Sequence, residues 1–413
     1  MCEGVPVFEL AMKYGTPLYV YSEQEIVDCA RTIRTALEGI PNHFAYALKA
    51  NANDAILDVL VREGVRADVV SAGELLLALQ AGFSPSAITF AGVGKRDDEI
   101  EFALDNNIFA IVVESAQELD VISSIAQRRR TAAQIFLRIN PNVDAQTHPY
   151  ISTGLKLNKF GISIDHAPTL FSHAASLPGI KVLGVHMHLG SQITTSEPYR
   201  NGVQALVGLV HDLRNAGINL NYIDIGGGFG VRYVDALRHP ELPAEEAESV
   251  EFESASEILQ AIKPPLLASG CTVIIEPGRY LVAESGVLVT RVLYTKETNA
   301  KKFVVVDAAM TELIRPSLYH AYHQIVPLVL NGQPAEVVDV VGPVCESTDF
   351  MAKDRLMKSV RRGDFMAVLT TGAYGFVLAS NYNARLRPAE ILVGGSTARM
   401  IRRRETIEVF MDR

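Results

Sequence analysis

The strongest constraint on the fold is an alternation of apolar strand candidates with amphipathic helical stretches through the first 280 residues. Helical spacing of apolar residues is clear in Ala55–Arg62, Glu74–Ala81, Asp97–Asn106 and Ala116–Arg129. Eight such strands over about 250 residues predict a (β/α)8 TIM barrel, with a doubly wound parallel sheet as the alternative. The strand candidates are Phe44–Leu48, Ala67–Val70, Ile88–Phe90, Phe109–Val113, Ile135–Ile139, Val182–Met187, Tyr222–Ile225 and Val273–Glu276.

After Pro277 the pattern changes to β-rich runs with few convincing helices between them. A second, mostly β domain is therefore predicted, with its boundary near residue 280. Near the N-terminus, Thr16–Tyr21 predicts a short strand, and Ser22 is the expected cap of a helix through Leu37. The predicted strands of the second domain are Val287–Thr295, Phe303–Asp307, Val337–Val341, Phe365–Leu369 and Thr406–Phe410.

Composition excludes several classes of protein. A net charge of -9 argues against broad binding of nucleic acid or anionic membranes, and the triple-basic runs 128–130 and 402–404 are expected to be solvated ends of elements. No stretch of 18 apolar residues predicts a membrane span, and no signal peptide is visible. Four cysteines without close pairing fit a reducing compartment. We expect a cytoplasmic protein.

In a TIM barrel, chemistry collects where strands end, on the C-terminal face. Lys49 follows the first barrel strand between Leu48 and Ala50. A lysine there commonly extends into solvent, but a desolvated amine is also what imine formation with an aldehyde requires. The lysine alone does not decide between these interpretations.

Strand six contains His186 and His188, which lie on the same side of a strand. This spacing suggests a metal pair, but no later strand end offers another histidine, so no metal is predicted. A buried, hydrogen-bonded core histidine suits His186 better. His188 lies nearer the strand end, where it could stack flat against a ring.

Strand seven runs into the glycine-rich stretch 226–230, and strand eight into Glu276 and Arg279. The glycines do not form a dinucleotide fingerprint, because the third glycine of that motif would fall at Val231. After strand seven of a barrel, such a loop suits a phosphate. An amine, a flat ring, a phosphate loop and a carboxylate are together what pyridoxal 5'-phosphate (PLP) needs.

Four motifs, 46–51, 186–191, 226–230 and 276–279, resemble those of the alanine-racemase-like (fold-type III) PLP-dependent decarboxylases. Three more narrow the resemblance to the diaminopimelate decarboxylases: 148–154, 315–319 and 345–347. The resemblance implies decarboxylation of meso-2,6-diaminopimelate to L-lysine and carbon dioxide. It also implies a homodimer with shared active sites, a PLP-binding barrel of residues 25–280, and a β domain of residues 1–24 and 281–413.

The resemblance also implies residue roles. Lys49 would carry the cofactor as an imine, Glu276 would pair with the ring nitrogen, and Cys345 from the partner subunit would be the proton donor. An arginine at the ring nitrogen is typical of racemases of this fold, so Glu276 favours decarboxylation. Expected cofactor-binding residues are Lys49, His188, Ser191, Gly227, Gly228, Glu276, Gly278, Arg279 and Tyr374. The substrate carboxylate is assigned to Arg279, Arg315 and Tyr319, the ammonium to Glu346, and a further contact to Tyr374.

Two residues depart from the family pattern. Leu157 stands where an acidic or polar residue is usual, and Thr348 where glycine is common. Two other functions stay open: a decarboxylase of another diamino acid, of the ornithine or carboxynorspermidine type, and a catalytically silent relative that binds a partner or stores cofactor.

Overall fold

A computed structural model describes residues 1–144, 159–243, 251–330 and 332–411 of the chain. The motif at 148–154 and Leu157 lie outside the described residues. Two compact units are formed: one from the described residues of 29–230 and 251–280, and one from those of 1–28, 231–250 and 281–413.

The described strands of the barrel unit are β2 Asn42–Ala47, β3 Arg66–Val69, β4 Ile88–Phe90, β5 Ala110–Val113, β6 Ala133–Asn140, β7 Ile162–Ser163, β8 Ile180–His186, β9 Tyr222–Asp224 and β10 Thr272–Ile275, after β1 Leu18–Ser22 of the other unit. The remaining described strands are β11 Gly286–Glu297, β12 Lys302–Val306, β13 Ile325–Pro327, β14 Ala335–Val341, β15 Phe350–Lys358, β16 Phe365–Val368, β17 Ala389–Gly394 and β18 Thr397–Arg402.

The described helices are α1 Val7–Tyr14, α2 Glu23–Ala36, α3 Asp54–Arg62, α4 Ala72–Gln80, α5 Asp97–Asp105, α6 Ala116–Arg129, α7 Ala167–Ser176, α8 Glu197–Asn215, α9 Ala255–Ala268, α10 Arg279–Val282 and α11 Arg315–Tyr319. Among the residues that the structure describes, none of the helices combines the length and the apolarity that crossing a bilayer would require.

Eight parallel strands close into a barrel in the order β2-β3-β4-β5-β6-β8-β9-β10 and back to β2. Closure depends on β10, which pairs with β9 on one side and with β2 on the other. The predicted TIM barrel is confirmed, and the doubly wound sheet is wrong because an open sheet has two unpaired edge strands. All eight predicted barrel strands are present; Ile88–Phe90 has the predicted ends, and no end of the others is shifted by more than two residues.

Local chemistry explains where the barrel helices begin. Asn53, Ser71 and Ser115 each cap a helix by accepting a hydrogen bond from a backbone N–H in its first turn. The helix α6 ends at the basic run 128–130, where Arg129 pairs with Glu101 and Asp105 on the surface. This run is therefore a solvated helix end, as expected from the sequence.

The β domain is a nine-stranded sheet in which β11, β1 and β17 lie side by side. The N-terminal strand β1 pairs antiparallel with β11 and parallel with β17. Leu18, Val20, Val289, Ile391 and Val393 from these three strands form part of a hydrophobic core. The expectation that the N-terminal strand belongs to the β domain is confirmed.

One predicted strand of this domain is wrong. The segment 406–410 contains a short 3-10 helix, Ile407–Phe410, and all of its residues are partly or fully exposed. Its alternating pattern resembles a strand, but the last described strand with a pairing is β18, which ends earlier at Arg402. Strands β13, β15, β17 and β18 are further additions that the sequence analysis did not predict.

Candidate active site

Four sequence motifs follow neighbouring strands of the barrel. The strands β8, β9, β10 and β2 are hydrogen-bonded in that order. Since all are parallel, the residues after them lie along one arc of the C-terminal rim. We give the name rim arc to four groups of this set: Lys49, His188, the glycines 226–228 and Glu276. Barrel closure therefore places the lysine of the first strand beside the carboxylate of the last.

Lys49 lies in a 3-10 turn, Leu48–Ala50, directly after β2. Its side chain is 38% exposed, and Nζ lies 3.6 Å from Oδ2 of Asp68, whose side chain is 1% exposed. Asp68 sits on β3 directly opposite Ala47 of β2. The amine is thus paired with a buried carboxylate on the adjacent strand.

Asp68 has a strongly perturbed acidity. Burial raises the pKa of its carboxyl to about 7; the nearby Glu276 acts in the same direction and Lys49 opposes it. Asp68 was not predicted from the sequence. A carboxylate between Ala67 and Val69 in a predicted strand was the signal available, because a buried charge needs a partner.

His188 lies just beyond the end of β8 and is partly buried. Burial, together with the positive charge of Lys49, holds its pKa well below the usual histidine range. Its Nδ1 accepts a hydrogen bond of 3.2 Å from the backbone N–H of Gly227. The ring is therefore neutral with its proton on Nε2, which suits stacking against another ring.

His186, two residues earlier, is buried on the same strand. Its Nε2 lies 3.3 Å from Oε2 of Glu276, and burial lowers its pKa to about 3. Its Nδ1 is buried and has no hydrogen-bond partner among the described residues. The ring is thus a neutral core histidine that supports Glu276, with one nitrogen unsatisfied.

The glycine run packs between the neighbouring strand ends. A Cβ on Gly227 would lie 2.1 Å from the carbonyl oxygen of Glu276, and one on Gly228 would lie 2.4 Å from that of Gly190. Gly228 also has a φ of 106°. Two of the amides at 226–228 already donate within the protein: Gly226 N–H to Asp224, and Gly227 N–H to His188. These positions therefore require glycine first of all because three strand ends approach one another too closely for a side chain.

Glu276 follows β10 and is buried beside Asp224, which ends β9. Burial raises the pKa of both carboxyls; the charge of Glu276 raises that of Asp224 further, whereas Lys49 and Arg138 lower that of Glu276. The two carboxyls therefore interact strongly, and ionisation of one disfavours ionisation of the other. Oε1 of Glu276 and Oδ2 of Asp224 have no hydrogen-bond partner among the described residues.

His186, Asp224 and Glu276 each offer one ligand atom, and these atoms lie within 4.8 Å of one another. Three such ligands are enough to hold a metal ion. Glu276 was identified from the sequence as a carboxylate at this rim, but Asp224 beside it was not. The unpartnered Oε1 of Glu276 equally fits a single N–H donor, such as the protonated ring nitrogen of PLP. The residues present therefore fit that cofactor.

Arg279 and Ser191, two further residues predicted from the sequence, contact each other in the barrel unit. The Arg279 guanidinium donates to Oγ of Ser191 from Nη2 at 2.9 Å and from Nε at 3.3 Å. Gly278 lets the end of β10 approach that of β2, because its Cβ would lie 3.1 Å from Cβ of Ala47. Arg279 is buried, so its charge is fixed rather than solvated.

In the β domain, Arg315 is a buried cation. Its Nη1 donates to Nε2 of His323 at 2.9 Å, and its guanidinium lies 4.7 Å from the ring centroid of Tyr233. His323 in turn donates from Nδ1 to the carbonyl oxygen of Leu369 at 2.8 Å. Tyr319 ends the same short helix, α11.

Cys345 and Glu346 lie in an exposed segment between β14 and β15. Ser317 of α11 donates from Oγ to the carbonyl oxygen of Thr348, so the 315–319 motif is hydrogen-bonded to the residue that follows the 345–347 motif. Tyr374 is partly buried with a φ of 55° in the loop after β16. The predicted residues of the β domain therefore lie on a helix (Arg315 and Tyr319), in a turn (Cys345 and Glu346) and in a loop (Tyr374).

Comparison with known proteins identifies the family. Residues 23–283 match the family model described as "Pyridoxal-dependent decarboxylase, pyridoxal binding domain". A diaminopimelate decarboxylase of Pseudomonas aeruginosa is 45% identical over 98% of this chain and 94% of its own length. The chain belongs to the diaminopimelate decarboxylases.

Other diaminopimelate decarboxylases agree with this assignment. The protein of Aquifex aeolicus is 41% identical over 99% of this chain and 94% of its own length. A crystal structure of the Helicobacter pylori enzyme complexed with L-lysine superposes with a TM-score of 0.91, at 41% identity and 98% coverage of both chains. The chain is therefore a pyridoxal-dependent decarboxylase with the TIM barrel and β domain of that family.

Several residues around the rim arc were not found from the sequence. Besides Asp68 and Asp224, Arg138 of β6 is buried and donates to Oε1 of Glu114 at 2.9 Å. Glu114 also accepts from the backbone N–H of Gly161 at 3.0 Å. An arginine inside a buried strand was the available signal, since such a charge requires a partner.

Proposed function

We propose that this chain catalyses the PLP-dependent decarboxylation of meso-2,6-diaminopimelate to L-lysine and carbon dioxide, as a homodimer with shared active sites. The observation that carries the proposal is the rim arc, in which an amine, a neutral ring and a buried carboxylate follow adjacent strands. The names of relatives at 41–45% identity over nearly the whole chain support the substrate.

We assign the cofactor to the rim arc. The Lys49 amine would hold its aldehyde, the His188 ring would lie against its face, and Glu276 would accept a hydrogen bond from its ring nitrogen. Ser191, Gly227, Gly228, Gly278, Arg279 and Tyr374 would complete the site. When bound, this cofactor supplies a protonated ring that accepts the electrons released at Cα as carbon dioxide leaves.

The protein's own groups prepare this chemistry. Burial raises the pKa of Glu276, Lys49 and Arg138 lower it, and an ionised Glu276 would favour a proton on a nitrogen hydrogen-bonded to Oε1. Asp68 pairs with Lys49 at 3.6 Å and can keep the amine oriented toward the rim. A neutral His188 adds no positive charge beside Lys49.

The substrate carries an amino-acid group at both ends, so one end must be recognised while the other reacts. We assign the distal carboxylate to Arg279, Arg315 and Tyr319, and the distal ammonium to Glu346. Cys345 of the partner subunit would give the proton to Cα after carbon dioxide leaves. Both arginines are buried, so each charge is held in place before substrate arrives.

A substrate panel tests the proposal. Purified enzyme with added PLP is incubated separately with meso-diaminopimelate, ornithine and carboxynorspermidine, and products are identified by mass spectrometry while the absorption spectrum is recorded. We expect a yellow protein that forms L-lysine and carbon dioxide from meso-diaminopimelate alone. Preferential turnover of ornithine would replace the proposed substrate, and a colourless protein inactive on all three would reject the enzyme assignment.

A further inference from the structure

Both carboxylate oxygens of Glu346 are held by hydroxyl groups. Tyr382 donates from its hydroxyl to Oε1. Thr348 donates from Oγ1 to Oε2 at 3.2 Å, the nearer of its two acceptors, the other being Sδ of Met310 at 3.9 Å. The hydrogen bond to Glu346 is also the main cause of a raised pKa of the Tyr382 hydroxyl. A carboxylate accepts about four hydrogen bonds, so each oxygen keeps capacity for another donor.

The turn 382–384, which contains Tyr382, also contacts Cys345, the residue before Glu346. Oδ1 of Asn383 accepts a hydrogen bond of 3.3 Å from the backbone N–H of Cys345. Asn383 and Ala384 both have a φ of 54°, a left-handed conformation that alanine rarely adopts. Two consecutive residues of this turn, Tyr382 and Asn383, therefore hold two consecutive residues of the 345–348 segment.

Thr348 has a second connection. Its carbonyl oxygen accepts the hydrogen bond from Ser317, two residues after Arg315 on α11. The next residue, Asp349, is buried and accepts from the backbone N–H groups of Met310 and Val344 at 2.6 and 2.7 Å. Thr348 is thus fixed at its backbone, and its hydroxyl reaches Glu346 from a rigid support.

We propose that Tyr382 and Thr348 are positioning residues that clamp the Glu346 carboxylate in the orientation that receives the distal ammonium group of the substrate. The inference rests on the proposed function, because it assumes that role for Glu346. Glu346 is itself exposed, and a free glutamate samples several rotamers. The clamp removes this freedom before substrate binds and leaves lone pairs on both oxygens for an ammonium group.

The family pattern makes Thr348 informative, because glycine is common at this position and has no hydroxyl. In this chain the threonine supplies one of the two donors to Glu346. Substrate affinity should therefore depend on a residue outside the expected substrate contacts, and a serine at 348 should keep that function while a valine should lose it.

The experiment is a double-mutant cycle on the full-length enzyme with PLP. Tyr382→Phe, Thr348→Val and Glu346→Gln are made singly, and each of the first two is combined with the third. We expect Tyr382→Phe and Thr348→Val each to raise KM for meso-diaminopimelate about five- to tenfold, with kcat changed less than about threefold. In the Glu346→Gln background, either change should have little further effect.

A second readout is the dissociation constant of L-lysine measured by calorimetry, which should rise by similar factors without turnover. Thr348→Ser should restore the wild-type KM. Thr397→Val is the matched control, because Thr397 is an exposed threonine whose hydroxyl donates to the carbonyl oxygen of Gly394 at 2.9 Å. It should leave KM unchanged.

The outcomes separate the two proposals. If Glu346→Gln raises KM but Tyr382→Phe and Thr348→Val do not, the clamp is wrong and the proposed function stands. Losses that add fully in the Glu346→Gln background, or that appear in kcat and thermal stability instead of KM, also overturn the clamp. If the wild-type enzyme does not turn over meso-diaminopimelate, the proposed function fails and the inference fails with it.

Discussion

The rim arc of the barrel and the 345–348 segment of the β domain hold their charged groups in opposite ways. Asp68, Asp224 and Glu276 are each at most 5% exposed, whereas Cys345 and Glu346 lie in an exposed turn. Around the rim arc, burial raises the pKa of all three carboxyls. The exposed segment instead depends on hydrogen bonds from Tyr382, Asn383 and Thr348 for its conformation.

This difference indicates where the molecule stores electrostatic energy. Unpaired atoms of buried carboxyls, such as Oε1 of Glu276, destabilise the folded chain until a donor binds there. Changes in the rim arc should therefore alter both catalysis and stability. Changes in the 345–348 segment should alter catalysis alone, because its side chains are solvated in the folded and unfolded states.

The largest effect is expected at Lys49. Lys49→Ala removes the amine proposed to hold the cofactor, and kcat for meso-diaminopimelate should fall by about 10⁴-fold or more. Lys49→Arg is the matched control: it keeps a cation beside Asp68 but cannot form an imine, so it should be equally inactive while its stability stays near that of the wild type. Substantial activity in either variant, measured with added PLP, would remove Lys49 from the mechanism.

Cys345 should give an intermediate effect confined to turnover. Cys345→Ala removes the proposed proton donor and should lower kcat by about 10²-fold. Its denaturant midpoint and the absorption spectrum of its bound cofactor should match those of the wild type. Cys29→Ala, which removes a buried thiol from α2, should keep full kcat. A loss of stability in Cys345→Ala would contradict the contrast drawn between the two regions.

Asp68 should give the smallest effect, and it should depend on pH. Burial raises the pKa of its carboxyl from an ordinary value of 3.8 to about 7. Between these values the folded chain binds the extra proton, so stability falls as pH rises, and the full penalty is present above pH 7. Asp68→Asn should therefore stabilise the cofactor-free protein by about 2 kcal/mol at pH 8, with the gain vanishing toward pH 4.

Urea unfolding at pH 8, 6 and 4 measures this effect. Asp105→Asn serves as the control, because Asp105 is an exposed carboxylate paired with Arg129 and its removal relieves no burial. The activity of Asp68→Asn should also fall, since Lys49 loses its partner. A variant as stable as the wild type at all three pH values would show that Asp68 is not strained by burial.

The two regions also differ in how well the sequence predicted them. Barrel strands are buried on both faces and appear as short apolar runs between helices, so all eight were predicted. In the β domain, four strands were missed and 406–410 was assigned wrongly. Strands such as β18, whose residues are partly or fully exposed, lack the apolar run on which the prediction depended.

The sequence by itself determined the alternation of elements, the helix caps and the chemistry after each strand, because these depend on neighbouring residues. Only the tertiary structure decided that β10 pairs with β2, which brings Glu276 to the region of Lys49 across more than 200 residues of chain. It also decided the partners of Asp68, Arg138 and Glu346. Pairing of distant buried charges depends on strand order and register, which no local pattern encodes.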